Sequence, residues 1–259
     1  MYLIGIVILF YVFSYRFFWK ADEKKQQKGP GYGLISHRGL TMDAPENTLE
    51  SYFGAVDNGF SWIEMDVVSS KDGVLFCSHN MDLERETDLN GYFFDLDSNI
   101  LKDAFTGIYT RHKGAYRVPD FLNVLTRLPV NIGVNVELKF KSWFDVSSAR
   151  AILNYKEILN KRQYVISSFS PVILIYLKVF FRAAPTALLL ESYKYFWVVN
   201  WIHPEYINPR ADMLNYSLLN FCKAKKIKLL TWTVNNIKTI NACLGMGVHG
   251  IITDERKVL

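Results

Sequence analysis

Cysteine is scarce in this chain of 259 residues: Cys77, Cys222 and Cys243 are widely spaced and stand in no CxxC pair or Cys/His cluster. That leaves out a disulfide framework and a structural zinc site, and reads as three buried core thiols. No lysine- or arginine-rich block is long enough to grip nucleic acid, and a net charge of +5 with 21 % charged residues is ordinary. The excess base is partly local, because Arg16, Lys20, Lys24, Lys25 and Lys28 crowd the N-terminal end. Neither a nucleic-acid nor a protein partner is expected. What is present is apolar substance: half the residues are hydrophobic, enough to bury one large core.

The first nineteen residues, MYLIGIVILFYVFSYRFFW, differ from everything after them. Met1 to Tyr15 carry no side-chain charge, and Arg16 is the only one before Lys20. A spanning helix needs roughly 20 apolar residues, with about 17 as the lower end. Arg16 can snorkel to headgroups, and Tyr15 and Trp19 suit the interface. A cleaved signal peptide would show a basic n-region and a small-x-small site, and neither is visible. The expectation is a single-pass transmembrane anchor over 1–19 with membrane lipid as its partner, then a polar tether over 20–32. Positive charge on the C-terminal flank then puts the remainder on the cytoplasmic side.

From residue 33 onward, apolar runs and amphipathic segments alternate. Eight runs read as buried strands: 33–37, 62–69, 130–139, 164–169, 186–192, 205–210, 227–234 and 249–254. Helical patterns lie between them, at 46–59, 119–129, 147–162, 170–181, 211–226 and 235–247, whereas 193–204 reads poorly as a helix. This alternation implies an α/β fold with a parallel sheet. Eight strands at this length point to a closed (β/α)8 TIM-type barrel over 33–259, with a doubly wound open sheet as the alternative. Residues 71–118 break the rhythm. Val74–His79 reads as the second arm of a hairpin after the Lys71-Asp72-Gly73 turn, and 90–118 as a small insertion.

In a parallel barrel the chemistry collects at the C-terminal ends of the strands. The first strand ends at His37-Arg38. Glu64 and Asp66 are two apart, so they point to one side, as do Glu137 and Lys139. The hairpin arm ends at His79, the seventh strand carries Trp232, and the eighth ends at Asp254. Acids inside apolar strands are costly unless paired or metal-bound. Three of them at one mouth suggest a hard divalent cation, Mg²⁺ or Ca²⁺. Arg38 and Lys139 suit an anionic phosphate, and two strand-end histidines suit acid–base work. Trp232 reads as a substrate contact and Phe169 as packing, while Asp254 either braces the last strand or acts. His112, His203 and His249 read as structural.

The order HRG (37–39), PENT (45–48), ExD (64–66), a run into His79, ExK (137–139), SF (168–169), WTVN (232–235) and GIITD (250–254) resembles the glycerophosphodiester phosphodiesterase family over residues 33–254. The resemblance implies a TIM-type barrel and metal-dependent hydrolysis of glycerophosphodiesters to an alcohol and sn-glycerol 3-phosphate. It implies that Glu64, Asp66 and Glu137 hold the cation and that His37 and His79 are the acid–base pair. It also implies attack on phosphorus by the substrate's neighbouring hydroxyl, with a cyclic phosphate hydrolysed afterwards. Glu46, in PENT, becomes a site residue near the metal beside Arg38, Lys139 and Trp232, with Asn47-Thr48 starting the helix. One departure matters: the family usually has His-Asp where this chain has His79-Asn80. Two further readings stand beside the first. One is lysophospholipase D-type cleavage of lysophospholipids at the membrane, and the other is a non-catalytic membrane-tethered binding barrel.

Overall fold

The computed structural model describes residues 2–26, 33–112 and 114–256. Eleven strands follow one another along them: β1 (Gly33–His37), β2 (Trp62–Ser69), β3 (Leu75–Cys77), β4 (Phe105–Thr106), β5 (Tyr116–Arg117), β6 (Gly133–Leu138), β7 (Tyr164–Ser168), β8 (Thr186–Leu190), β9 (Tyr206–Pro209), β10 (Lys228–Thr231) and β11 (Gly250–Thr253). Setting aside β3, β4 and β5, eight strands remain, each parallel to its neighbours. β1 pairs with both β11 and β2, so the sheet closes into a barrel. The eight strands are those read from the apolar runs, and a helical segment lies within each expected helical pattern.

Alternation along the strands sorts side chains into two apolar layers. Ile35, Trp62, Val165, Ala187, Tyr206, Leu230 and Ile252 form the inner plug, one from each barrel strand except β6. Strand β6 supplies Gly133 instead, and its lack of a side chain is what admits the indole: a Cβ there would lie 2.3 Å from Trp62 Cε2. The alternate residues, among them Ile63, Met65, Val134, Val136, Ile207 and Ile251, face outward into the main core beneath the helices. Five helices begin at side-chain caps, with Thr48, Asp120, Ser170, Asn215 and Asn236 accepting from backbone N–H groups of the first turn.

Strand β3 runs antiparallel to the end of β2, as the hairpin reading requires. The stretch beyond it has a small core of its own, in which Phe76, Leu83, Phe93, Leu101 and Val118 pack on Val68. β4 and β5 pair within it. Residues 193–204 form a 3₁₀ segment, Tyr193–Val198, and one helical turn, Val199–Ile202, ended by His203 at a left-handed φ of 54°.

The N-terminal helix is Tyr2–Phe17, 16 residues. At 1.5 Å per residue that is about 24 Å, short of the ~30 Å hydrocarbon layer. No helix among the described residues is long and apolar enough to cross a membrane. The spanning helix expected over 1–19 is therefore not found among the described residues, and the lipid partner and the membrane side derived from it are left without support. After the helix the chain lies against the end of the barrel where the strands begin. Ala21 N donates to Lys225 O at 2.8 Å. Trp19 Nε1 donates to Asn200 Oδ1 at 3.0 Å, and Gln26 Nε2 to Lys226 O at 2.7 Å. Residues 27–32 of the expected tether lie outside the described residues.

Candidate active site

The connection from β1 to the next helix is shaped to bring polar groups inward. Arg38 (φ 56°) and Gly39 (φ 83°) are consecutive left-handed residues, and a Cβ on Gly39 would sit 2.6 Å from the Ser51 carbonyl carbon. The turn fixes the guanidinium: Arg38 Nη1 donates to Glu46 Oε1 at 2.8 Å, and Nε lies 3.0 Å from Asp66 Oδ2. Asn47, also left-handed, spans the same gap from the other side. Its Nδ2 donates to Asp66 Oδ2 at 3.1 Å, while its Oδ1 accepts from Asp66 N at 3.1 Å and Tyr52 OH at 2.9 Å. Asn47 was read only as part of a helix start; its place beside Glu46 was the available signal.

The acids follow from strand register. Asp66 pairs with Glu137 across β2 and β6, and Glu64 lies one inward step below Asp66. One ligand oxygen from each of Glu64, Asp66 and Glu137 lies within 4.8 Å of the others, and all three residues are buried. Lys139 Nζ lies 2.8 Å from Asp66 Oδ1 and donates to Glu137 Oε1. Burial would raise Asp66, but Lys139 and Arg38 outweigh it and hold the carboxyl well below its ordinary range. Burial and then the Asp66 and Glu137 charges push Glu64 well up. Burial raises Glu137 too, against the pull of Lys139. Two cations thus fully serve one acid of three. Two acids are left in surplus, and the three buried carboxylates, with no soft ligand beside them, fit a hard divalent cation.

The histidines flank this cluster. His37 Nδ1 is 2.6 Å from Asp254 Oδ1, and Asn235 braces that carboxylate by donating from Nδ2 to Oδ2 at 2.8 Å. Burial works against Asp254, yet the His37 and Asn235 bonds keep it below its ordinary value. Burial and the neighbouring Lys139 charge lower His79 to about 4. Trp232 is pinned by its Nε1, which donates to Asn208 O at 2.7 Å, and Phe169 meets it edge-on at 5.7 Å.

His37, Arg38, Glu64, His79, Glu137, Lys139 and Trp232 all line one cavity of about 310 Å³, with Phe169 on its wall. Glu46 reaches this group through Arg38. The nine residues singled out from the sequence are therefore gathered at one barrel mouth. Asn47 and Asn235 were missed as site residues, because their side chains act across the site and carry no strand or helix period. Next to the mouth a second cavity, about 510 Å³, shares Glu137, Lys139, Phe169, Leu189 and Glu191 and continues over Phe140, Trp143, Leu190 and Tyr195. His112, His203 and His249 stand apart from both.

Known proteins resemble this chain over most of its length. Residues 37–258 match the model of the glycerophosphoryl diester phosphodiesterase family. A glycerophosphodiester phosphodiesterase of Caldanaerobacter subterraneus subsp. tengcongensis is 29 % identical over 239 residues, covering 87 % of this chain and 95 % of that protein. A Bacillus subtilis enzyme of the same name is 26 % identical over 241 residues, covering 85 % and 82 %. Among solved structures, an Oleispira antarctica phosphodiesterase in complex with the product sn-glycerol-3-phosphate superposes with a TM-score of 0.76. It is 22 % identical and covers 87 % of this chain and 94 % of that one, a likeness of fold.

Proposed function

The chain belongs to the glycerophosphoryl diester phosphodiesterase family, and from that premise we propose that it hydrolyses glycerophosphodiesters to an alcohol and sn-glycerol 3-phosphate. The observation that carries this reading is the convergence of three buried carboxylates, two cations and two histidines at one barrel mouth. Glu64, Asp66 and Glu137 would hold Mg²⁺ or Ca²⁺. Once bound, the ion supplies positive charge against the phosphate oxygens.

The chain's own groups do the rest. Arg38 and Lys139 donate to the anionic oxygens and stabilise the charge that builds up at phosphorus. Asp254 holds Nδ1 of His37, which leaves Nε2 as the basic nitrogen. That nitrogen takes the proton of the substrate hydroxyl next to the phosphate as its oxygen bonds to phosphorus. The bond to the leaving alcohol breaks, and His79 delivers a proton to it. Water, giving a proton to His79, then bonds to phosphorus as the bond to the substrate's neighbouring oxygen breaks, and that oxygen takes back the proton held by His37. His79 is kept neutral by burial and the surrounding cations. An anionic substrate offsets those cations, which favours the protonated His79 that hands over the proton.

The test is release of sn-glycerol 3-phosphate from glycerophosphocholine with Mg²⁺, Ca²⁺ or EDTA, alongside His37→Ala. Metal-dependent turnover lost in the variant supports the reading, and a folded, inactive wild type overturns it.

A second reading, lysophospholipids as substrates, is favoured by the apolar and aromatic cavity that opens off the mouth. It offers a monoacyl chain an apolar and aromatic wall beside the mouth. Turnover of lysophosphatidylcholine far below that of glycerophosphocholine would remove it.

A further inference from the structure

One carboxylate near the mouth has no part in the arrangement above. Asn80 directly follows His79, and its Nδ2 donates to Glu86 Oε1 at 2.5 Å. The Asn80 carbonyl accepts from Ser78 Oγ at 2.9 Å, and Ser78 N donates to Asp66 O at 3.2 Å. Residues 78–80 are thus a short turn tied on one side to β2 and on the other to Glu86, with His79 at its centre. Glu86 is itself fixed. Its carbonyl accepts from Ile108 N at 3.3 Å, and its neighbour Thr87 is buried with Oγ1 donating to Leu83 O at 2.7 Å. The charged groups that face it are Glu46, Arg38 and Asp66.

A carboxylate is a costly choice for this position. Glutamine would give Asn80 the same acceptor without placing a second negative charge near Glu46 or desolvating it. Burial, with Glu46 adding to it, raises the Glu86 carboxyl to about 7. What the charge adds is strength, because an amide donates more strongly to an ionised acceptor than to a neutral one.

We propose that Glu86 is a positioning residue for His79, holding the turn that delivers the histidine through the Asn80 amide, and that it does so by its charge. The proposal rests on the reading that His79 carries a proton in the reaction. As pH falls through neutrality Glu86 takes up a proton, the bond to Asn80 weakens, and turnover falls along a limb that belongs to a carboxyl, not to an imidazole.

The test uses the full chain and four proteins: wild type, E86Q, N80D and the exchange N80D/E86Q. With glycerophosphocholine as substrate, E86Q lowers kcat several-fold with little change in KM and flattens the limb near neutrality. N80D alone sets two carboxylates at hydrogen-bond distance and moves the limb to higher pH. The exchange reverses donor and acceptor and recovers most of the rate. E86Q with the wild-type kcat and pH profile would overturn the proposal, as would N80D behaving like the exchange. The His79 ring-proton resonance decides the matter without turnover. Its own titration lies near 4, so a second inflection near neutrality in wild type, absent from E86Q, reports Glu86; the same curve in both proteins overturns the proposal. A wild type that releases no glycerol 3-phosphate defeats the functional reading alone, and the resonance still settles this one.

Discussion

Two sets of buried acids lie at opposite ends of the barrel and are matched differently. Glu205, where β9 begins, is 1 % exposed and fully served. It accepts from Thr186 N at 2.9 Å, Thr186 Oγ1 at 2.8 Å and Lys178 Nζ at 2.6 Å, with Lys25 Nζ at 3.7 Å. At the mouth, Glu64, Asp66 and Glu137 share Lys139 and Arg38, and two of the three carboxyls are driven upward by burial and by one another. A buried acid with its full set of partners serves the fold. A surplus of them is an unfinished arrangement that a ligand cation completes.

The contrast can be broken most forcefully at the mouth. His37→Ala should lower kcat/KM by on the order of 10²–10⁴-fold, the usual worth of a general base, with little change in melting temperature. At the other end, Glu205→Gln should cost about 3 kcal/mol in chemical denaturation, since it strands Lys178, while the folded fraction keeps its turnover. A Glu205 variant that unfolds no more easily than wild type would erase the distinction.

Stability against pH sharpens it further. Glu64 has a folded-state pKa raised above its ordinary 4.5. Its contribution is therefore complete below that value and is lost as pH rises through the folded one. Asp66 runs the other way: lowered from 3.8, it contributes above that value and is lost as pH falls. Metal-free protein should accordingly melt highest at mildly acidic pH and decline toward neutrality, with Mg²⁺ or Ca²⁺ removing the decline. Thermal melts in EDTA and in each ion check this, and a flat metal-free profile contradicts it. The smallest effect concerns the neighbouring cavity. Trp143→Ala should raise KM for lysophosphatidylcholine by roughly 10-fold, about one lost aromatic contact, and leave glycerophosphocholine unaffected.

Much of this was legible before any coordinates. Strands such as Trp62–Ser69 could be read because burial on both faces writes a continuous apolar run, and the inward acids stand out against it. Residues 80–118 were opaque because Leu83, Phe93 and Leu101 close a small core of irregular segments, which leaves no period to read. The first nineteen residues misled by composition: they are apolar but for Ser14 and Arg16, yet the helix among them, Tyr2–Phe17, is 16 residues long. Glu86 was invisible for another reason. The resemblance marked Asn80 as lacking a carboxylate, and only the folded loop places one against it from six residues further on.

The central claim is that the mouth acids await a divalent cation. The most direct test is calorimetric titration of metal-free protein with Mg²⁺ and with Ca²⁺ in two buffers of different ionisation enthalpy, using wild type and Glu64→Gln. Because burial raises the Glu64 and Glu137 carboxyls, binding at mildly acidic pH should release protons from wild type, and the variant should release fewer and bind more weakly. Binding without proton release, or equal binding by both proteins, would contradict the account.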